Sequence, residues 1–115
     1  STVLRAMRKV PLYPLAEFVK ALNHECKRQA KEYYIVPYRM TCQPGSTDSS
    51  VYRMRNEIEA IFGYIPFQCQ AFIPLPMTLS SIQYYTGSDP LTGEMFFVEK
   101  NAKARRKQHG ILMRR

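Results

Sequence analysis

Between residues 14 and 31 the apolar positions Leu15, Phe18, Val19, Leu22 and Cys26 recur at three- to four-residue spacing, which predicts an amphipathic helix. Pro14 suits its first position, and Lys27, Arg28 and Lys31 suit its carboxyl end. A shorter helix is predicted over residues 2–9, with Thr2 as its cap, Val3, Leu4 and Met7 on one side, and a stop before Pro11. From Tyr33 to Thr41 the period changes to a nearly continuous apolar, β-branched and aromatic run. Such a run predicts a strand buried on both faces, as in a parallel sheet, although Pro37 places it at an edge or a bulge. After the Gln43-Pro44-Gly45-Ser46 turn, Thr47 or Asp48 can cap a helix that points Val51, Met54, Ile58 and Ile61 inward and ends near Gly63. Alternation of Phe67, Cys69, Ala71 and Ile73 with polar or outward positions predicts a second strand over Phe67–Ile73. Helix, strand, helix and strand in that order predict a parallel pair joined by a right-handed crossover, hence an α/β fold. Beyond Pro74 and Pro76 comes an irregular or helical stretch through Gly87, then turns at Asp89-Pro90 and Thr92-Gly93. A short extended segment at Met95–Glu99 and a basic helix from about Asn101 close the chain.

Composition narrows this to one domain: 115 residues, 45% hydrophobic, with eight Tyr and six Phe, are enough for a small packed core. No apolar run approaches the ~20 residues that cross a bilayer, so no membrane partner is expected. The opening Ser-Thr-Val-Leu has neither an initiator Met nor a secretory leader pattern and reads as a cut. Three cysteines, Cys26, Cys42 and Cys69, are far apart, fit no metal-ligand spacing, and by their odd count favour reduced thiols in a cytoplasm. Net charge is +8, and nearly all of the excess lies in residues 100–115, which carry seven Lys or Arg and no acid.

The chemistry-bearing positions are few. In parallel α/β architecture ligands gather beyond the carboxyl ends of strands, which here are Thr41–Ser46 and Phe72–Met77. The Pro-Gly-Ser-Thr turn before a helix could offer its amides to an anion, but the same residues make an ordinary capped turn, and both readings stay open. His24 and Cys26, two apart on a helix, point to different sides, as do Glu57 and Glu59, so neither pair makes a metal or acid/base site. No Ser, Cys or Lys has a recognisable base beside it. The cationic tail, with Lys103, Arg105, Arg106 and Lys107, reads either as a nucleic-acid contact, RNA being the natural partner, or as a solvated or docked helix face.

Five blocks resemble the C-terminal part of the YgiQ-type radical-SAM proteins, an incompletely characterised group of iron-sulfur enzymes. They are Val3–Lys9, Tyr34-Ile-Val-Pro-Tyr38 leading to Pro44-Gly45-Ser46, Phe72-Ile-Pro-Leu-Pro-Met77, Tyr84-Tyr85-Thr86-Gly87 with Asp89-Pro90, and the closing Ala-Arg-Arg-Lys-Gln-His. The resemblance implies a partial (β/α) barrel whose last units are residues 1–73, followed by a family-specific extension and basic tail over 74–115. It implies a 4Fe-4S cluster and S-adenosylmethionine in the parent protein, the cluster being held by a Cys-x-x-x-Cys-x-x-Cys loop that this chain lacks. None would be bound by this segment alone, which would not be catalytic by itself. Gln43, Pro44, Gly45 and Phe72 would then line the S-adenosylmethionine side of the barrel, with Gln43 where the family has His. The expected partner is the N-terminal remainder of the protein, and without it the exposed sheet edges predict self-association.

Overall fold

The computed structural model describes residues 2–10 and 14–113, in the order α1 (Thr2–Ala6), α2 (Leu15–Arg28), β1 (Arg39–Thr41), α3 (Asp48–Phe62), β2 (Cys69–Ala71), α4 (Leu79–Thr86) and α5 (Ala102–Met113). The stop expected at Pro11 and the cap expected from the Thr2 side chain lie outside what is described.

Strands β1 and β2 pair in parallel, with Arg39 opposite Cys69 and Thr41 opposite Ala71, and α3 makes the crossover. This is the α/β unit that the order of periodicities predicts. The third helix forms where local chemistry allows it: Thr47 and Ser50 make a reciprocal capping box, and Gly63 at φ 74° closes the far end by donating to Glu59 O. Helix α5 lies against the strands in the opposite direction to them. Its Arg105 and Gln108 meet Cys42 at the carboxyl end of β1, and Leu112 meets Arg39 at the other end. Since Asp48 meets Lys107 and Arg55 meets Ile111, α3 and α5 run side by side in the same direction. The apolar core they enclose is Val51, Ile111 and Leu112, with Met54 and Cys69 packed against it.

Both strands are shorter than expected. Only Arg39–Thr41 and Cys69–Ala71 join the ladder. The segment at 33–38 has no regular structure and joins no ladder, and the expectation of a strand buried on both faces is overturned there, Tyr34 being 83% and Tyr38 60% exposed. The physical reason is the absence of a neighbouring strand among the described residues, compounded by Pro37, which has no N–H to give to one. The apolar stripe of α2 is likewise only partly covered: Val19 is buried, but Phe18 is 59% exposed. Helix α1 is shorter than residues 2–9, because Arg8 at φ 53° turns the chain out of the helix while Lys9 N donates to Leu4 O and Arg8 N to Arg5 O. The stretch after Pro76 resolves into a helix, α4, which Thr78 caps by accepting from Ser81 N and which Gly87 at φ 71° ends. Asp89 then organises the following turn, accepting from Leu91 N through Oδ1 and from Gly93 N through its carbonyl.

Candidate functional site

The carboxyl ends of the two strands lie side by side, since Phe72 N donates to Thr41 O at 2.7 Å. This brings Phe72 and the Gln43-Pro44-Gly45 turn, the four residues singled out from sequence, to the same end of the sheet. Pro44 and Phe72 are buried, and Gln43 and Gly45 half-buried. The turn has little left to offer a ligand through its backbone. Gly45 N donates to Phe97 O (2.7 Å), Ser46 N to Gln43 O (2.9 Å), Thr47 N to Ser50 Oγ (2.9 Å), and Ser50 N to Thr47 Oγ1 (3.2 Å). The capped loop is thus formed, with the amides of Gly45, Ser46 and Thr47 donating within the chain.

What seals this end is α5, through a residue that sequence reasoning did not single out. Gln108, 1% exposed, accepts from Cys42 N (3.2 Å) and Ser46 Oγ (3.4 Å) with its Oε1, and donates to Ser46 O (3.3 Å) with its Nε2. A glutamine inside a basic run carries no periodic signal, so only its place on the inward face of α5, three and four residues before Ile111 and Leu112, marks it. Arg39 does the same at the other end of β1, donating to Leu112 O (3.1 Å) and to Pro66 O, its side chain buried between them. Burial pulls the Arg39 pKa below its ordinary value and pushes the Cys69 thiol above its own.

The cationic tail does not present its charges as one stripe. Arg105 turns inward: its guanidinium donates to Phe72 O (2.5 Å), Tyr84 Oη (3.1 Å) and Glu99 O (3.3 Å) and stacks 5.5 Å from the Tyr84 ring centroid. Lys107 bonds to Asp48 at the start of α3 (2.5 Å), and that carboxylate raises its pKa. Lys103 and Arg106 are exposed. Among the described residues, the Arg106 side chain donates to a carbonyl of its own helix, Ala102 O, at 3.4 Å. Asn101 caps α5 by accepting from Lys103 N and Ala104 N. Beside this first turn is a cleft of about 460 Å³ lined by Ala71, Tyr84, Lys100, Ala102, Arg105, Arg106 and His109.

Nothing in the described residues fits an iron-sulfur cluster: no three His, Cys, Asp or Glu side chains come together, and Cys26, Cys42 and Cys69 belong to α2, the turn after β1, and β2. No described helix is long and apolar enough to cross a membrane.

No family model matches the chain, and no solved structure matches it. It is similar to a UPF0313 protein of Thermotoga neapolitana, 38% identical over 105 residues, and to a UPF0313 protein of Clostridium botulinum, 37% identical over 110 residues. The matches cover 91% and 96% of this chain but only 18% and 17% of those relatives. Over nearly its whole length, then, this chain is similar to a small part of much longer UPF0313 proteins.

Proposed function

We propose that the chain is the last two strand-helix units and the C-terminal extension of a radical-SAM enzyme, whose catalytic cluster and S-adenosylmethionine are held mainly by residues outside it. The observation that carries this reading is the two-stranded parallel sheet, with the apolar run at 33–38 leading into it outside any ladder, joined to relatives about five times as long. A parallel strand pair is stable when both faces and both edges are covered, and this one is covered on the side of α3 and α5. Met40 and Gln70, opposite each other in the register, lie on the other side, where Gln70 is exposed and meets only the Tyr38 hydroxyl. The Tyr84-Tyr85-Thr86-Gly87 block and the Phe72–Met77 segment support the more specific assignment by their resemblance to the YgiQ-type proteins.

In that assembly this chain's part is architectural. Gln43, Pro44, Gly45 and Phe72 sit at the carboxyl ends of the strands, where the barrel would hold its cofactor. The test is anaerobic reconstitution of the longer protein with iron and sulfide. Cluster absorbance together with reductive cleavage of S-adenosylmethionine to 5′-deoxyadenosine is the expected result, and a reconstituted protein that shows neither rejects the assignment.

A further inference from the structure

The cleft beside the first turn of α5 is not explained by the sheet, the core or the proposed barrel. Its lining holds Lys100, Arg105, Arg106 and His109 and no acidic side chain. The nearest carboxylate in sequence, Glu99, is turned to Asn101 N at 3.0 Å. These cations differ in what they already hold. Arg105 is held by three protein acceptors and the Tyr84 ring, so it braces the wall. Lys100 gives one bond to Tyr85 O (2.9 Å) and lies 5.9 Å from the Tyr84 ring centroid, which leaves protons of its ammonium for another acceptor. Among the described residues Arg106 has its terminal nitrogens uncommitted, its Nε alone reaching Ala102 O. His109 donates through Nε2 to Cys69 O (3.3 Å), which leaves Nδ1 as an acceptor, so its ring lines the cleft without offering an anion a donor.

Two cationic side chains with donors to spare, Lys100 and Arg106, therefore line one cleft with an aromatic wall. Like charges brought together without a counterion repel one another, a cost that an anion in the cleft reverses. The positive end of α5 adds to the same potential through Ala102. The cleft also lies at Ala71, the carboxyl end of β2, where ligands of parallel α/β folds gather.

We infer that this cleft is a phosphate-binding site, with Lys100 and Arg106 as the ligating side chains and Tyr84 and His109 as the wall beside them. The inference does not depend on the radical-SAM assignment, because it uses only residues of this chain. The phosphate is that of a free phosphorylated compound or of a phosphodiester backbone; the chemistry of the site is shared.

The test is titration of the 115-residue chain with pyrophosphate at low salt, followed by calorimetry and by backbone amide shifts. One saturable site is expected, with the first amides to move at Tyr84, Lys100, Arg106 and His109. Arg106→Gln and Lys100→Gln should each weaken binding by about fivefold to tenfold, the scale of one charge-assisted hydrogen bond. Lys20→Gln, which removes an equal charge from the exposed face of α2, should leave it within about twofold. Absence of saturable binding, shifts centred elsewhere, or equal weakening by Lys20→Gln would overturn the inference. A short single-stranded RNA that displaces pyrophosphate and binds more tightly assigns the site to a phosphodiester backbone. Pyrophosphate binding that such RNA leaves intact assigns it to a free phosphorylated compound.

Discussion

Arg39 and Gln108 hold the molecule at the level of single residues, and both are polar side chains with almost no exposure. Each substitutes for a backbone partner that the short sheet does not supply: Arg39 satisfies the carbonyls of Leu112 and Pro66, and Gln108 satisfies Cys42 N and the hydroxyl and carbonyl of Ser46. Removing one member of such a contact leaves a buried group without its hydrogen bond, which costs ~1–3 kcal/mol. Arg39→Met should therefore lower the urea midpoint by an amount worth ~1–3 kcal/mol even though its apolar volume is kept. Gln108→Leu should also speed amide exchange at Cys42 relative to the rest of the core. Neither residue was legible in the sequence, because a buried polar group leaves no periodicity; the basic run around Gln108 reads as solvated until its inward face is seen. The thiols are ordered by burial in the same way. At neutral pH iodoacetamide should label half-buried Cys26 first and fully buried Cys42 last, with Cys69 slowed by a pKa that burial raises. Mass spectrometry of a labelling time course reads that order directly.

At the scale of elements the helices and the parallel pairing of the strands were legible and the strand lengths were not, for a physical reason. Helix α3 carries its own signals in Thr47, Ser50 and Gly63, and its boundaries follow from them. Thr47→Ala should cost ~1 kcal/mol by removing the cap, measured as a fall in the unfolding midpoint. Helix α2 is amphipathic by spacing and forms over Leu15–Arg28, but its inward face finds only partial cover, so local ion pairing matters more to it. Glu25 accepts from Arg28 (2.6 Å) and Gln29 (2.5 Å), and chiefly the Arg28 bond holds its pKa below the ordinary 4.5. A carboxyl group lowered on folding contributes above its unfolded pKa and loses that contribution as pH falls through the folded one. Acid titration should thus fray the carboxyl end of α2, seen in Cα chemical shifts, and Glu25→Gln should remove that step. Strand length, by contrast, depends on neighbours. The run at 33–41 has the composition of a buried strand, yet only residues 39–41 have a partner strand beside them. The candidate site was legible to the same degree: Gln43–Gly45 and Phe72 do meet at one end of the sheet, but the closing of that end by Gln108 and the inward turn of Arg105 depend on tertiary packing.

The whole molecule is more extended than its length requires. Its radius of gyration is 16.1 Å, with extents of 50 × 31 × 23 Å, against about 13 Å for a compact domain of this size. Large apolar side chains lie open along it, among them Phe18, Tyr34, Phe67, Ile73, Leu75 and Met77. Surface of this kind is normally covered by another chain or domain. The account predicts concentration-dependent self-association of the 115-residue chain; a monomer at all concentrations in sedimentation would count against it. Whether parts of a longer protein complete the sheet is read by hydrogen exchange at the amides of residues 33–36, which lie outside the β1–β2 ladder. Fast exchange is expected there in the 115-residue chain, with slowing by about a hundredfold or more in the full-length protein as those amides gain a partner strand. Equal exchange in the two would contradict it.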